Sequence, residues 1–245
     1  MKLTVIGCSP AWPNPGSAHS GYLLEAGDNR LLLDCGPGVL SRLLVDETWP
    51  RIDAIVLSHL HLDHAGDLVA WLWGSLSGPG RGLAGPELWL PAGGRGELDR
   101  LASLDTLARV FSMHEYEEGE SFAVGGFELN ARRVPHYGHN AFALRVERDG
   151  VVLAYSGDSA FSEVLVDVAR DADLFLCEAT LAEPERTEPV GHMTAEDALE
   201  LARRANARRL VLTHRSADRP VPAGAEAAHD GLVVDVGGHE GAAPG

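Results

Sequence analysis

The run Ile52-Asp53-Ala54-Ile55-Val56-Leu57 ends directly in Ser58-His59-Leu60-His61-Leu62-Asp63-His64, and no other stretch restricts the fold as sharply. The run has the length and β-branched content of a buried strand. His59 and His61 leave its end two residues apart, so their side chains can converge on one side. Asp63 and His64 fall at the turn into Ala65-Gly66-Asp67-Leu68-Val69-Ala70-Trp71, which reads as the start of a helix. Neutral imidazoles with a carboxylate suit zinc or another divalent transition metal. The adjacent pairs His59/His61 and Asp63/His64 suit two metals side by side. The alternative, four polar residues in a surface loop, does not account for the strand-loop-helix setting.

A chain of 245 residues without a low-complexity linker is expected to form one domain over 1–245, with 237–245 as a frayed tail. At this length folding buries roughly 70–75% of the unfolded surface, so no covalent staples are needed. Cys8, Cys35 and Cys177 are odd in number and widely spaced, which fits small buried thiols in a reducing compartment. The N-terminus lacks a basic region followed by a long apolar segment, and no stretch reaches the roughly 18 apolar residues of a membrane span. The expected location is cytoplasmic. Net charge is −16, from 20 basic and 36 acidic side chains. Such a surface disfavours polyphosphate partners, whose binding relies on Lys and Arg. Basic clusters occur at Arg132-Arg133 and at Arg203-Arg204 with Arg208-Arg209; the second reads as a solvated helix end.

Strands are expected at Lys2–Ile6, Gly21–Ala26 and Arg30–Asp34, the last two joined as a hairpin by Gly27-Asp28-Asn29. Asp34-Cys35-Gly36-Pro37-Gly38 turns into a helix from Val39 to Val45. Trp71 and Trp73 read as core, and Gly74–Gly85 as a mobile surface segment. A strand at Glu87–Leu90 and a helix at Gly96–Leu107 follow. Further strands fall at Phe127–Val134, Phe142–Val146, Val151–Tyr155, Asp173–Cys177, Arg209–Thr213 and Leu232–Val236. A helix spans Phe161–Ala169, and Thr194-Ala195-Glu196-Asp197 caps another carrying Ala198, Leu201, Ala202 and Ala205 at helical spacing. Periodicity alone gives α/β or α+β. His136, Asp158 and His214 each lie just beyond an apolar strand, where loops can aim them at a shared site.

His-x-His-x-Asp-His after an apolar strand resembles the signature of the metallo-β-lactamase superfamily of binuclear metallohydrolases, and the resemblance spans Met1 to about Arg215. It implies a four-layer αββα sandwich and two Zn2+ ions, with Mn2+ or another divalent metal as alternatives. By this resemblance His59, His61 and His136 bind one metal, Asp63, His64 and His214 the other, and Asp158 bridges both. Asp34 would support the metal loops through hydrogen bonds. His136 lies nine residues before Arg145 and His139 six before it, while the family spacing falls between the two, so His139 stays open as the alternative. An aspartate at the bridging place fits phosphodiesterase-like and thioesterase-like branches better than the β-lactamases proper, which usually carry cysteine there.

Cys177-Glu178-Ala179-Thr180 resembles the His-Glu-Ala-Thr motif of the ribonuclease Z-like branch, with Cys in place of the first His. Gly191-His192-Met193-Thr194 resembles its Gly-His-Ser-Thr motif. The resemblance assigns His192 to leaving-group protonation, Glu178 to orienting it, and Asp63 to accepting the proton of the attacking water. The long basic arm of the tRNA-processing enzymes has no counterpart between Phe161 and Arg186. With the charge of −16 this favours a small substrate. The Gly7-Cys8-Ser9 opening, Tyr155-Ser156-Gly157-Asp158 and Cys177-Glu178-Ala179 resemble compact cyclic-nucleotide phosphodiesterases, which implies a small or cyclic nucleotide as substrate, with tRNA 3′-processing as the alternative. A glyoxalase II-like thioesterase comes next, lacking its added helical region here, and a non-catalytic metal-bound scaffold last. Dimers are common in this branch, so a homodimer without membrane association is expected.

Overall fold

The computed structural model describes residues 1–45 and 47–238. The first half holds β1 (Lys2–Gly7), β2 (Gly21–Ala26), β3 (Asn29–Leu33), α1 (Val39–Leu43), β4 (Ala54–Val56) and α2 (Leu62–Ala65). It continues with α3 (Asp67–Ser77), β5 (Glu87–Pro91), α4 (Gly94–Leu98), α5 (Leu104–Leu107) and β6 (Ser112–Tyr116). The second half holds β7 (Ser121–Val124), β8 (Phe127–Val134), β9 (Ala141–Arg148), β10 (Val151–Tyr155), α6 (Glu163–Val168) and β11 (Leu174–Glu178). It closes with α7 (Ala195–Arg204), β12 (Leu210–Thr213), β13 (Glu226–Ala227) and β14 (Val233–Asp235).

Two mixed seven-stranded sheets result, in the orders β14-β1-β2-β3-β4-β5-β6 and β13-β12-β11-β10-β9-β8-β7. Strand alternation places one set of side chains between the sheets and the other under helices. Leu31 and Leu33 of β3, with Ala54 and Val56 of β4, face inward onto Leu129, Leu144, Leu153 and Leu176 of the other sheet. Their neighbours Leu32 and Ile55 face outward and pack under Val39, Leu40, Leu68 and Trp71 of α1 and α3. On the far side, Ala154, Phe175 and Leu212 pack under Leu165 of α6 and Leu201 of α7. These three apolar interlayers make the αββα sandwich, and strands buried on both faces explain their continuous apolar runs. Across the central interlayer, the Tyr22 and Thr213 hydroxyls lie 2.7 Å apart.

α7 begins with the expected cap: the Thr194 hydroxyl accepts from the Asp197 N–H, and the Asp197 carboxylate accepts from the Thr194 N–H. The hairpin is also as expected, with Ala26 paired to Asn29 around Gly27-Asp28. Cys8, Cys35 and Cys177 are free and buried, and among the described residues no helix is long and apolar enough to cross a membrane.

Several expectations require correction. The single helix over Gly96–Leu107 is instead α4 and α5; the Asp99 carboxylate accepts from Leu104 N and the Ser103 hydroxyl from Thr106 N, which starts a new helix there. The expected loop from Gly74 begins later, because α3 continues to Ser77. Gly74 and Gly80 are the surfaces on which the Trp49 indole rests, and a Cβ at either would overlap its ring. Trp71 is core, but Trp73 is 57% exposed and is not. β6, β7 and β13 were not expected; β6 and β7 are edge strands whose polar, exposed residues break the apolar signal. From residue 239 onward the expected frayed tail lies outside the described residues.

Candidate metal centre

The candidate metal ligands sit at the same end of the sandwich, because each lies in the connection beyond the C-terminal end of a strand. Asp34 follows β3, His59 follows β4, His136 follows β8, Asp158 follows β10, Glu178 ends β11 and His214 follows β12. Two groups that share Asp158 form there, each with its donor atoms within 4.8 Å of one another: His59, His61, His136 and Asp158, and Asp63, His64, Asp158 and His214; Glu178, His192 and His214 make a third on the same criterion. In the first, His61 Nδ1 is 3.1 Å from His59 Nε2 and 3.0 Å from His136 Nε2. In the second, His214 Nε2 is 3.1 Å from Asp63 Oδ2, and His64 Nε2 is 3.2 Å from Asp158 Oδ2. Asp158 Oδ2 also lies 3.7 Å from His59 Nε2, 3.9 Å from His136 Nε2 and 3.5 Å from His214 Nε2, so one carboxylate oxygen is common to both groups.

His139 is exposed, its ring 4.4 Å from that of His61 and 6.0 Å from that of His136, and it belongs to neither group. The buried ring of His136 is the one that converges.

Hydrogen bonds behind the rings fix which nitrogen faces the site. The Thr180 hydroxyl donates to the His214 carbonyl at 2.8 Å, so it accepts from His214 Nδ1–H at 2.9 Å. The Ser58 hydroxyl donates to Asp34 Oδ2 at 2.9 Å and therefore accepts from His59 Nδ1–H at 3.1 Å. His136 Nδ1–H donates to the Gly191 carbonyl at 2.8 Å, and His64 Nδ1–H donates to Asp34 Oδ2 at 2.8 Å. All four rings consequently present Nε2 to the site, a tautomer assignment that follows from the acceptors at their backs. Asp34 anchors this arrangement, since its carboxylate also accepts from Ser58 N at 2.7 Å and from the Tyr155 hydroxyl at 2.6 Å. Asp34 and His214 both hold left-handed backbone, with φ of 59° and 48°, a conformation uncommon outside glycine and concentrated at functional sites.

Electrostatics agree. Burial pushes His59 well below its ordinary range, and burial with the facing His136 brings His61 down to about 4. Burial also lowers His136. For Asp63 and Asp158 burial opposes ionisation, but the facing histidines, His214 and His64 foremost, outweigh it and hold both carboxyls below the usual range. Neutral imidazoles and ionised carboxylates are the state in which such side chains bind metal. His64 is the exception: burial opposes its charge, but Asp158 and Asp34 outweigh it and favour a cation at that ring.

The donor set fits metal on a further observation. His64 Nε2 and Asp158 Oδ1 are buried without any hydrogen-bond partner, a costly condition unless a cation engages them. The neutral His59 and His136 rings turn Nε2 lone pairs toward Asp158 Oδ2 at 3.7 and 3.9 Å, an opposition that a cation between them resolves.

Beside the two groups, Glu178 Oε1 accepts from His192 Nδ1 at 2.8 Å and from Ser159 N at 2.7 Å, and Oε2 accepts from Thr180 N at 3.2 Å. The His192 ring stacks 5.6 Å from that of His214 and stands 4.9 Å from that of His136. Burial opposes its charge, but the buried Glu178 carboxylate outweighs this and carries His192 up to about 9. Cys177 turns the opposite way into the helix-covered layer, its Sγ 3.7 Å from Met193 Sδ. Sequence reasoning missed Ser58, Thr180, Tyr155 and the Gly191 carbonyl as partners of the site; only the hydroxyls adjoining the motifs offered a signal.

Residues 29–215 match the family model described as "Beta-lactamase superfamily domain". Probable metallo-hydrolase YhfI of Bacillus subtilis (strain 168) is 32% identical over 219 residues, covering 87% of this chain and 86% of that protein. The crystal structure of YhfI aligns over 96% of this chain and 99% of its own with TM-score 0.83 at 25% identity. Human tRNase Z, short form, aligns over 96% and 99% with TM-score 0.78 at 28% identity. Ribonuclease Z of Myxococcus xanthus (strain DK1622) is 28% identical over 269 residues, covering 88% of this chain and 87% of that protein. A strand-end cluster of imidazoles and carboxylates on an αββα sandwich, with these relatives, identifies the chain as a metal-dependent hydrolase belonging to the β-lactamase superfamily.

Proposed function

We propose that this chain is a single-domain phosphodiesterase that uses two Zn2+ ions and acts on small or cyclic nucleotides. The observation that carries the reading is the sharing of Asp158 Oδ2 between two donor groups, beside a buried Glu178–His192 pair. His59, His61 and His136 would hold one ion, Asp63, His64 and His214 the other, with Asp158 common to both. Bound there, divalent ions supply Lewis acidity that acidifies water and draws charge from phosphoryl oxygens.

The protein's own groups handle the protons. The Asp63 side chain is 13% exposed against 2% for Asp158, so Asp63 is the carboxylate that water reaches. It accepts the hydrogen bond of the attacking water and fixes its direction. His192, kept protonated by Glu178, donates to the departing alkoxide, the role of a general acid. A phosphodiester with a poor leaving group uses both functions, whereas a thioester's thiolate departs without the acid.

A small substrate is favoured by charge. The net charge is −16, and most arginines of the basic clusters are ion-paired: Arg132 with Glu118, Arg203 with Glu200, Arg204 with Glu163, Arg208 with Asp173 and Arg209 with Glu226, while Arg133 lies over the Phe142 ring. Such pairing leaves little to neutralise an RNA backbone. Precursor tRNA is the second reading, supported by the likeness to human tRNase Z. The homodimer belongs to the same proposal, supported by Leu62, Val69 and Trp73, exposed apolar side chains of α2 and α3. The three buried free cysteines support a cytoplasmic location.

The test is turnover by zinc-loaded protein of bis-p-nitrophenyl phosphate, cyclic AMP, precursor tRNA and S-lactoylglutathione. Cleavage of the first two is expected. Cleavage of the thioester alone would overturn the phosphodiesterase reading, and processing of precursor tRNA without cyclic AMP turnover would replace the substrate class.

A further inference from the structure

The residue after His136 closes a latch over the loop that carries His192. Tyr137 holds left-handed backbone, φ 47°, and its N–H donates to the Val190 carbonyl at 2.9 Å. Its hydroxyl donates to Glu185 Oε1 at 2.6 Å. The other oxygen of that carboxylate, Oε2, accepts from Gly191 N at 2.7 Å and from His192 N at 3.2 Å. The Tyr137 ring lies against the Gly191 Cα so closely that a Cβ there would overlap it. The same ring stands 5.4 Å from that of His192.

The consequence lies in the peptide between Gly191 and His192. Its carbonyl accepts from His136 Nδ1, and its N–H donates to Glu185. One rigid peptide unit therefore sets the direction of a ring in the first donor group and the position of the residue that faces the leaving group. Resting on the phosphodiesterase reading for what His192 does, we propose that Tyr137 and Glu185 are positioning residues that hold His136 and His192 in mutual register through the Gly191 peptide. Neither touches substrate in this account. Tyr137 contributes an aromatic wall and one donor, and Glu185 contributes a two-oxygen bracket across Tyr137 and the peptide. Loss of the bracket frees the peptide to rotate, which turns the His136 ring and withdraws the His192 proton from the alkoxide.

Two readouts separate this from general damage: zinc affinity, by competition with a chromophoric chelator, and the ratio of kcat for an alkyl phosphodiester to kcat for bis-p-nitrophenyl phosphate. Glu185→Ala and Tyr137→Phe are expected to lower kcat on the alkyl ester about tenfold, as loss of acid alignment requires, and on the nitrophenyl ester by less than about threefold. Zinc binding should weaken about tenfold, as when a ligand's hydrogen-bond partner is disturbed. Glu185→Gln keeps an oxygen for the Gly191 N–H and should recover most of both. Exposed Glu183, on the same loop, gives the control Glu183→Gln, in which neither readout moves. Equal losses on the two esters with unchanged zinc affinity would overturn the latch. A wild-type protein inert to both esters rejects the phosphodiesterase reading alone; the zinc affinities of the variants then decide the latch.

Discussion

His192 Nδ1 lies 2.8 Å from Glu178 Oε1, and that carboxylate is wholly buried. A charged acceptor without solvent around it holds a proton on the imidazole strongly, because little screening weakens the pair. Glu178→Gln keeps an acceptor oxygen but removes the charge. Its kcat on an alkyl phosphodiester should fall about 100-fold, within the range of general-acid contributions, and that on bis-p-nitrophenyl phosphate only a few-fold. Steady-state kinetics on the two esters check this, and equal losses would remove His192 as the acid.

The same pair makes the chelated protein sensitive to pH. With His192 raised from 6.5 to about 9, its charged form is favoured in the folded state. The resulting stability is complete below pH 6.5 and disappears as pH rises through about 9. In the presence of chelator, the melting temperature of the wild type should exceed that of His192→Asn at pH 6, and the gap should close by about pH 10. A gap independent of pH would contradict the assignment.

On the proposed two-zinc reading, His136→Ala should lose one of the two ions, since its Nε2 converges with His61 Nδ1 at 3.0 Å. His139→Ala should retain both. Elemental analysis of the purified variants decides between them, and loss of metal only in His139→Ala would reverse the ligand proposal.

Asp34→Asn disturbs four donors at once: Ser58 N, the Ser58 and Tyr155 hydroxyls and His64 Nδ1. Its amide NH2 must face one of them. Stability should fall by about 3 kcal/mol, the scale of an unsatisfied buried group beside lost charge-assisted bonds. Zinc affinity should fall about 10–100-fold. Denaturant melts and chelator competition measure the two.

Much of the site was legible because His59, His136, Asp158 and His214 each stand directly after an apolar strand, and strand ends gather at sheet edges. The sequence favoured His136, which directly follows Val134-Pro135, but left His139 open, because spacing along the chain does not reveal that His136 backs onto the Gly191 carbonyl, a contact between residues 55 apart. Thr180 was hidden for the same reason, its hydroxyl facing His214 from 34 residues away, whereas Ser58 stands beside His59 and its orienting role shows only once its hydroxyl is seen donating to Asp34. In the fold, the doubly buried strands announced themselves, whereas β6 and β7 were lost because an edge strand keeps a polar side. Gly74 read as a breaker, yet it lies within α3 because Trp49 occupies the space a side chain would need.

Tyr155 of one sheet reaches Asp34 of the other, and Tyr22 reaches Thr213 in the opposite sense. The catalytic end of the sandwich is thus buttoned twice, once by Asp34, which also orients the His64 ring. His59, His61 and His64 ride on one layer; His136, Asp158 and His214 ride on the other. Slippage of the layers by a single rung would part these two trios, so competence for chemistry in this chain doubles as a gauge of interlayer alignment.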